Sequence, residues 1–130
     1  MKFHFGDQQK KLDKKLVKAA TAGDAAETLR LLEAGANPNV RHYFPGHALF
    51  AAAFSGDQEK YLQTIDILLK HGAKIDARNS ANSTALMAAA NKGHLRAARA
   101  LLAAGAQPAL RGQDRNALGW AIVDGNRETI

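Results

Sequence analysis

One eleven-residue phrase occurs three times in this chain: "LLEAGANPNVR" from Leu31, "LLKHGAKIDAR" from Leu68 and "LLAAGAQPALR" from Leu101. Self-similarity at a period of about 20–50 residues marks an architecture of stacked units, and no other feature of the sequence narrows the fold as far. The glycines keep the same period. Gly35, Gly72 and Gly105 stand 37 and 33 residues apart, while a second series, Gly23, Gly56, Gly93 and Gly125, is spaced by 33, 37 and 32. An alanine-rich apolar run precedes each glycine of the second series: "LVKAATAG", "LFAAAFSG", "LMAAANKG" and "LGWAIVDG".

Each unit is therefore a short apolar run, a glycine, a second run ending in Leu-Leu, then Gly-Ala and a polar stretch. In physical terms this is helix, turn, helix, loop. Alanine is the strongest helix former and is small enough to let neighbouring helices approach closely. Glycine suits the left-handed residue that ends a helix. In the middle unit Tyr61, Leu62, Ile65, Leu68 and Leu69 follow the i, i+3, i+4, i+7, i+8 spacing of a single apolar stripe. No alternating run competes for a strand. The spacing predicts helices near 12–22 and 25–34, 47–54 and 57–71, 84–92 and 94–104, and a last one near 117–124.

The segment "TALMAAANKGHLRAARALLAAGAQP", Thr84 to Pro108, resembles an ankyrin repeat, and the likeness extends over about residues 12–130. The resemblance implies an all-α solenoid of stacked helix-turn-helix units joined by β-hairpin-like loops. Its units would be about 12–40, 41–77 and 78–110, with a truncated unit 111–130 and a basic leading segment 1–11. It also explains the repetition, since one such unit cannot bury its apolar face and only stacking builds a core.

Three departures carry expectations of their own. The family's T-P-L-H signature stands here as "HALF" from His47, "TALM" from Thr84 and "NALG" from Asn116, with Ala for Pro and the signature His missing. Weaker polar locking between units is expected from that loss. The second unit is four residues longer between Gly56 and Leu68, which predicts an extra helical turn near "DQEKYLQT". The fourth unit, ending in "GNRETI", looks cut in half. Leu118 and Ile122 would then lack cover, so self-association through this end, or completion by a longer chain, is expected.

Chemistry is scarce. At 130 residues the chain allows one domain, and without cysteine it has neither a disulfide framework nor a thiolate metal site. Phosphate-binding glycine loops and the nucleophile-elbow motif are missing. His42 and His47 share a loop, His71 and His94 lie at separate helix ends, and the carboxylates are scattered singly. His94 is expected to hydrogen-bond its own turn. No catalytic, cofactor-binding or metal-binding residue is assigned, and no small-molecule substrate. The leading residues contain no apolar signal core and no long apolar run follows, so the expected compartment is the cytoplasm, with secretion as an effector the alternative.

Lys2, Lys10, Lys11, Lys14, Lys15 and Lys18 against Asp7 and Asp13 place +4 of the formal +6 in the first 18 residues. That segment reads chiefly as a solvated helix face able to steer the protein toward acidic partners. The remaining basic residues are interleaved with acids and no nucleic-acid-reading module is visible. The apolar side of the start (Phe3, Phe5, Leu12, Leu16) is thin for membrane binding. Nucleic acid and membrane are therefore disfavoured, and a partner protein of acidic character is preferred.

Solenoids bind through an extended concave face, which in the family resembled comprises the loop tips and the outer side of each first helix. Six residues beyond each Gly-Ala glycine stand Arg41, Arg78 and Arg111, one per unit, with Ser80 beside Arg78 and Arg115 close to the last. Alignment on the glycines brings Lys18, Thr21 and Ala22 into register with Ala51, Phe54 and Ser55, with Ala88, Asn91 and Lys92, and with Trp120, Val123 and Asp124. Lys18 at the Trp120 position implies that this position faces solvent, because an unpaired lysine is almost never buried. Tyr43 and Phe44 add aromatics at the second loop tip, just before Pro45-Gly46. Trp, Tyr and Arg are the residues that dominate interface energetics. The candidate partner-binding set is thus Arg41, Tyr43, Phe44, Phe54, Arg78, Ser80, Asn91, Lys92, Arg111, Arg115 and Trp120.

Overall fold

A computed structural model describes residues 5–41 and 46–108 of the chain. Among these residues the structure is all-α: α1 (Phe5–Ala22), α2 (Ala25–Glu33), α3 (Ala48–Ser55), α4 (Glu59–Lys70), α5 (Ala85–Asn91) and α6 (Leu95–Ala103). The helices pair as α1–α2, α3–α4 and α5–α6. The pairs stack so that α1, α3 and α5 form one layer and α2, α4 and α6 a second. This is the expected helical solenoid. Tyr43, Phe44, Arg111, Arg115 and Trp120, the last predicted helix and the truncated unit all lie outside the described residues.

Alanine sets the stacking distance. Residues 48–53 of α3 and 85–90 of α5 are buried without a break, where an amphipathic surface helix would show one exposed face. These stretches are enclosed on every side, and the alanines among Leu49, Phe50, Leu86 and Met87 let neighbouring pairs approach closely. Leu16, Leu31, Leu49, Ile65, Leu68, Leu86, Met87 and Leu101 fill the interior between the two layers.

The glycines that follow the second helices are left-handed, Gly35, Gly72 and Gly105 having φ of 105°, 95° and 106°. In the other series Gly23 and Gly93 are left-handed too, at 69° and 75°. Gly56 departs from the expectation: its φ of −175° is extended backbone open to any residue. Space, and not handedness, keeps it glycine, since a Cβ there would overlap the Tyr61 ring. The difference traces to the four-residue insertion. Three of those residues lengthen α4 to 12 residues against 9 in α2 and α6, close to the predicted turn. The remaining one extends the turn before it and removes the need for a left-handed residue.

That longer turn has a structural consequence. His94 occupies the N-cap of α6 but its side chain caps nothing there. The cap comes instead from the preceding pair: Asp57 accepts from the backbone N–H of Ala97 (2.7 Å) and of Arg96 (3.3 Å). Glu59 meets the Arg96 guanidinium beside it at 3.0 Å. The His94 ring, expected to bond its own turn, reaches Ala53 O of the preceding pair at 3.0 Å.

Polar locking between pairs is accordingly dense, contrary to the expectation from the missing signature histidine. His47 takes over part of the work from the threonine position of the motif. Its Nδ1 accepts from Phe50 N at 3.2 Å, capping α3, so Nε2 carries the proton and donates to Ala77 O of the following loop at 3.1 Å. Thr84 performs the same cap on α5 through its hydroxyl. Asn39 bridges the first two loops, donating to Gly72 O (2.9 Å) and accepting from Lys74 N (2.8 Å). Asp76 accepts from Gln107 N of the third at 3.1 Å.

α1 starts at Phe5, seven residues before the predicted 12, and runs for 18 residues. Its leading turns contain no proline, and two side chains tie them down. Gln9 donates to Gly35 O at 3.0 Å and Asp13, buried at 4% exposure, accepts from Asn37 N at 2.8 Å.

Candidate functional site

The loop tip is built first. Asn79 Oδ1 accepts from the N–H of Ala81 (2.9 Å) and of Ser83 (3.0 Å), and Asn79 N donates to Ser83 O, which closes the segment into a tight hairpin-like turn. Asn82 carries the turn in the left-handed region at φ 64°, a conformation asparagine tolerates better than most residues. Arg78 braces it, donating from Nη1 to Asn82 Oδ1 at 3.0 Å and to Asn82 O at 3.3 Å. The guanidinium of Arg78 is thus committed in part to its own loop, while Ser80 stands exposed at the tip. Arg41 is exposed at the corresponding place in the preceding loop. It lies near enough to His47 for its charge to push the imidazole pKa down, a smaller effect than burial of the ring and opposed by the bond to Ala77 O.

On the helix side, Phe54 follows six consecutive buried residues of α3 and is itself only half-buried. It stacks on Phe50 with ring centroids 5.8 Å apart and 17° between planes. The Lys92 ammonium of the next pair stands 4.9 Å from its centroid. Lys92 and Asn91, at the end of α5, are exposed. Of the predicted set the structure therefore brings Phe54 and Lys92 together across a unit boundary and keeps Arg78 with its own turn.

The position shared by Lys18, Ala51 and Ala88 does not face solvent in general. Ala51 and Ala88 are 0% and 5% exposed, and only in α1 is the position open. A preceding helix pair covers it in α3 and α5. Among the described residues no helix pair precedes α1, so Lys18 is open while Ala51 and Ala88 in register with it are enclosed.

A shallow recess that no sequence motif marks is lined by Ser55, Gly56, Asp57, Gln58, His94 and Arg96. Only the four-residue insertion hinted at it. A second groove, lined by Lys15, Lys18, Ala19, Ala22, Asp24 and Glu27, lies at the open end of the first pair. In it Arg30 holds Glu27 bidentately and draws its pKa below the ordinary carboxylate value, with a smaller contribution from Lys15. Among the described residues no group of three or more histidines or carboxylates could hold a metal ion, and no helix is long and apolar enough to cross a membrane.

Comparison with known proteins fits this geometry. The model of a family described as "Ankyrin repeats (3 copies)" matches residues 16–112 and 58–130. The chain is also 34% identical over 88 residues, 68% of its length, to the "Probable E3 ubiquitin-protein ligase XBOS33" of Oryza sativa subsp. japonica. It spans 16% of that relative.

Proposed function

This chain belongs to the ankyrin-repeat family, whose members generally mediate protein–protein interaction, and we propose that it is a non-catalytic module gripping a partner protein through its inner helices and loop tips. Phe54 carries the reading. A large ring half-exposed beside an otherwise enclosed helix, with an ammonium over its face, is suited to receive an apolar side chain and a neighbouring acid. Arg41, Arg78, Ser80, Asn91 and Lys92 would form the polar rim, extended by Arg111 and Arg115, with Tyr43, Phe44 and Trp120 as further anchors. The partner would be acidic at its rim, because arginine suits carboxylates through its planar fork.

The test starts with affinity capture and identification of a partner, followed by binding of the purified pair. Truncating Phe54, Tyr43 or Trp120 to Ala should weaken binding by about 2 kcal/mol or more if each is an anchor. Arg78→Glu should mainly slow association and flatten its salt dependence. Arg99→Glu on α6 alters net charge equally and serves as control. Equal weakening by the Arg78 and Arg99 variants would mean that only overall charge matters.

A second reading rests on the rice relative. Because the chain spans a small part of a protein named as a probable ubiquitin ligase, it could serve as the targeting segment of a larger enzyme. The length of the native gene decides between a stand-alone module and such a segment.

A further inference from the structure

The open end of the first helix pair has a chemistry the inner face does not share. Lys11, Lys14, Lys15 and Lys18 are all exposed on α1. At 3.6 residues per turn they fall within about 100° of arc, opposite the buried Leu16 and Ala20. Register with the other pairs shows what the face is. Lys15 and Lys18 match Ala48 and Ala51 of α3, and Ala85 and Ala88 of α5, all of them at most 5% exposed. Glu27 of α2 matches Thr64 and Ala97, both at 0%. These are the positions that receive a preceding helix pair.

The lysines are not explained by the fold. Lys10 and Lys14, Lys11 and Lys15, and Lys14 and Lys18 are like charges at i, i+4, an arrangement that weakens a helix. Among the described residues the ion pairs are Arg30–Glu27, Lys70–Asp66 and Arg96–Glu59, and none involves α1. Asp7 is the one acid on the arc, at the helix start. Keeping such a face in water requires polar residues of either sign, whereas from Lys11 to Lys18 this face carries one sign for about two turns.

We propose that the lysine face of α1 docks an acidic helical segment of a partner protein, laid along the exposed face that in α3 and α5 receives a preceding helix pair. A helix fits because the site is the surface on which this fold seats helices, with Ala19 and Ala22 lining a groove between the lysines and α2. A protein fits better than a uniform polyanion because Asp24 and Glu27 form the other wall of that groove. A phosphate backbone or an anionic bilayer would meet repulsion there. A helix acidic on one side and basic on its edge would not. Among the described side chains the lysine arc carries no aromatic for base stacking, Arg30 beside it is held by Glu27, and Leu12, Leu16, Val17 and Ala20 of α1 pack into the core.

The experiment uses the whole chain and a labelled synthetic helical peptide of about 20 residues, long enough to hold a helix. Its glutamates stand at i, i+3, i+4 and i+7, with arginines along one edge. A peptide of the same composition with scattered charges, vesicles of phosphatidylserine and single-stranded polyuridine are the other arms. The patterned peptide should bind more tightly than the other three. Lys15→Glu with Lys18→Glu should weaken it by about tenfold or more, Lys15→Ala with Lys18→Ala by less, and Lys70→Glu with Lys74→Glu by under about twofold. Circular dichroism of each variant confirms the fold. Equal binding of the scattered peptide overturns the proposal by reducing it to net charge. Tighter, lysine-dependent binding of vesicles or RNA overturns it by assigning the face to another class of partner. Phe54→Ala should leave peptide affinity unchanged, which separates this site from the inner face.

Discussion

The first helix pair and the second solve the same problem with different residues. Deep in the stack, Lys74 N of the second loop is bonded by Asn39 Oδ1 of the first, and Gly72 O by Asn39 Nδ2. At the start of the stack the matching groups are Asn37 N and Gly35 O, and α1 itself satisfies them. Asp13 accepts from Asn37 N and Gln9 donates to Gly35 O. The ten residues by which α1 precedes the register of α3, 5–14, thus stand in for a loop. The same helix changes its stacking alanines to lysines. Stacking in this fold therefore makes two demands, small side chains on the received face and one polar bridge per loop, and the end pair drops the first while meeting the second internally.

The sharpest way to break this contrast is to move a residue across it. Ala51→Lys places the α1 residue where α3 is fully enclosed. It adds volume and an unpaired charge at once, and should cost at least about 3 kcal/mol in urea unfolding. The reverse exchange, Lys18→Ala in the exposed register position, should stay within about 0.5 kcal/mol. Similar costs for both would show that the two faces are not distinguished by stacking.

The next exchange probes the bridge. Asp13→Ala removes a buried acceptor and should cost about 2 kcal/mol, with faster amide exchange at Asn37. Asp13→Asn should recover more than half of that loss, because Asn39 already accepts from the equivalent N–H. If Asn recovers nothing, the carboxylate acts through its charge and the likeness between the two bridges is superficial.

How much of this was legible in the sequence follows from the range of each interaction. The helix pairs were readable because alanine runs, glycines and the Tyr61 to Leu69 stripe are local signals repeated in each unit. The start of α1 was not, since Gln9 and Asp13 find their partners at residues 35 and 37. Asp57 capping α6 from 40 residues away is of the same kind. The Lys18 position misled because alignment treats an end unit as equivalent to enclosed ones. At the inner face Phe54 and Lys92 were each singled out, but their contact depends on the rise between units. The self-bonding of Arg78 depends on the conformation of Asn82.

The smallest expected effect concerns the two capping residues in register, His47 and Thr84. Both cap a first helix from the side chain, but only His47 also reaches the next loop and only His47 titrates. Burial holds its pKa below the ordinary histidine value, with the bond to Ala77 opposing and Arg41 assisting. The folded state therefore binds this proton less readily than the unfolded chain. The contribution to stability is complete above the unfolded value of about 6.5 and is lost as pH falls from there through the folded pKa. Protonation must occur at Nδ1, the atom that accepts from Phe50 N, so the acid form loses the cap as well. His47→Thr copies the residue that caps α5. It should cost about 1 kcal/mol at pH 7 through the lost bond to Ala77, while flattening the dependence of stability on pH below neutrality. Urea unfolding of both proteins from pH 7.5 to 5 measures this directly. A slope unchanged in the Thr variant would move the acid sensitivity to other groups and leave His47 as a cap that happens to be a histidine.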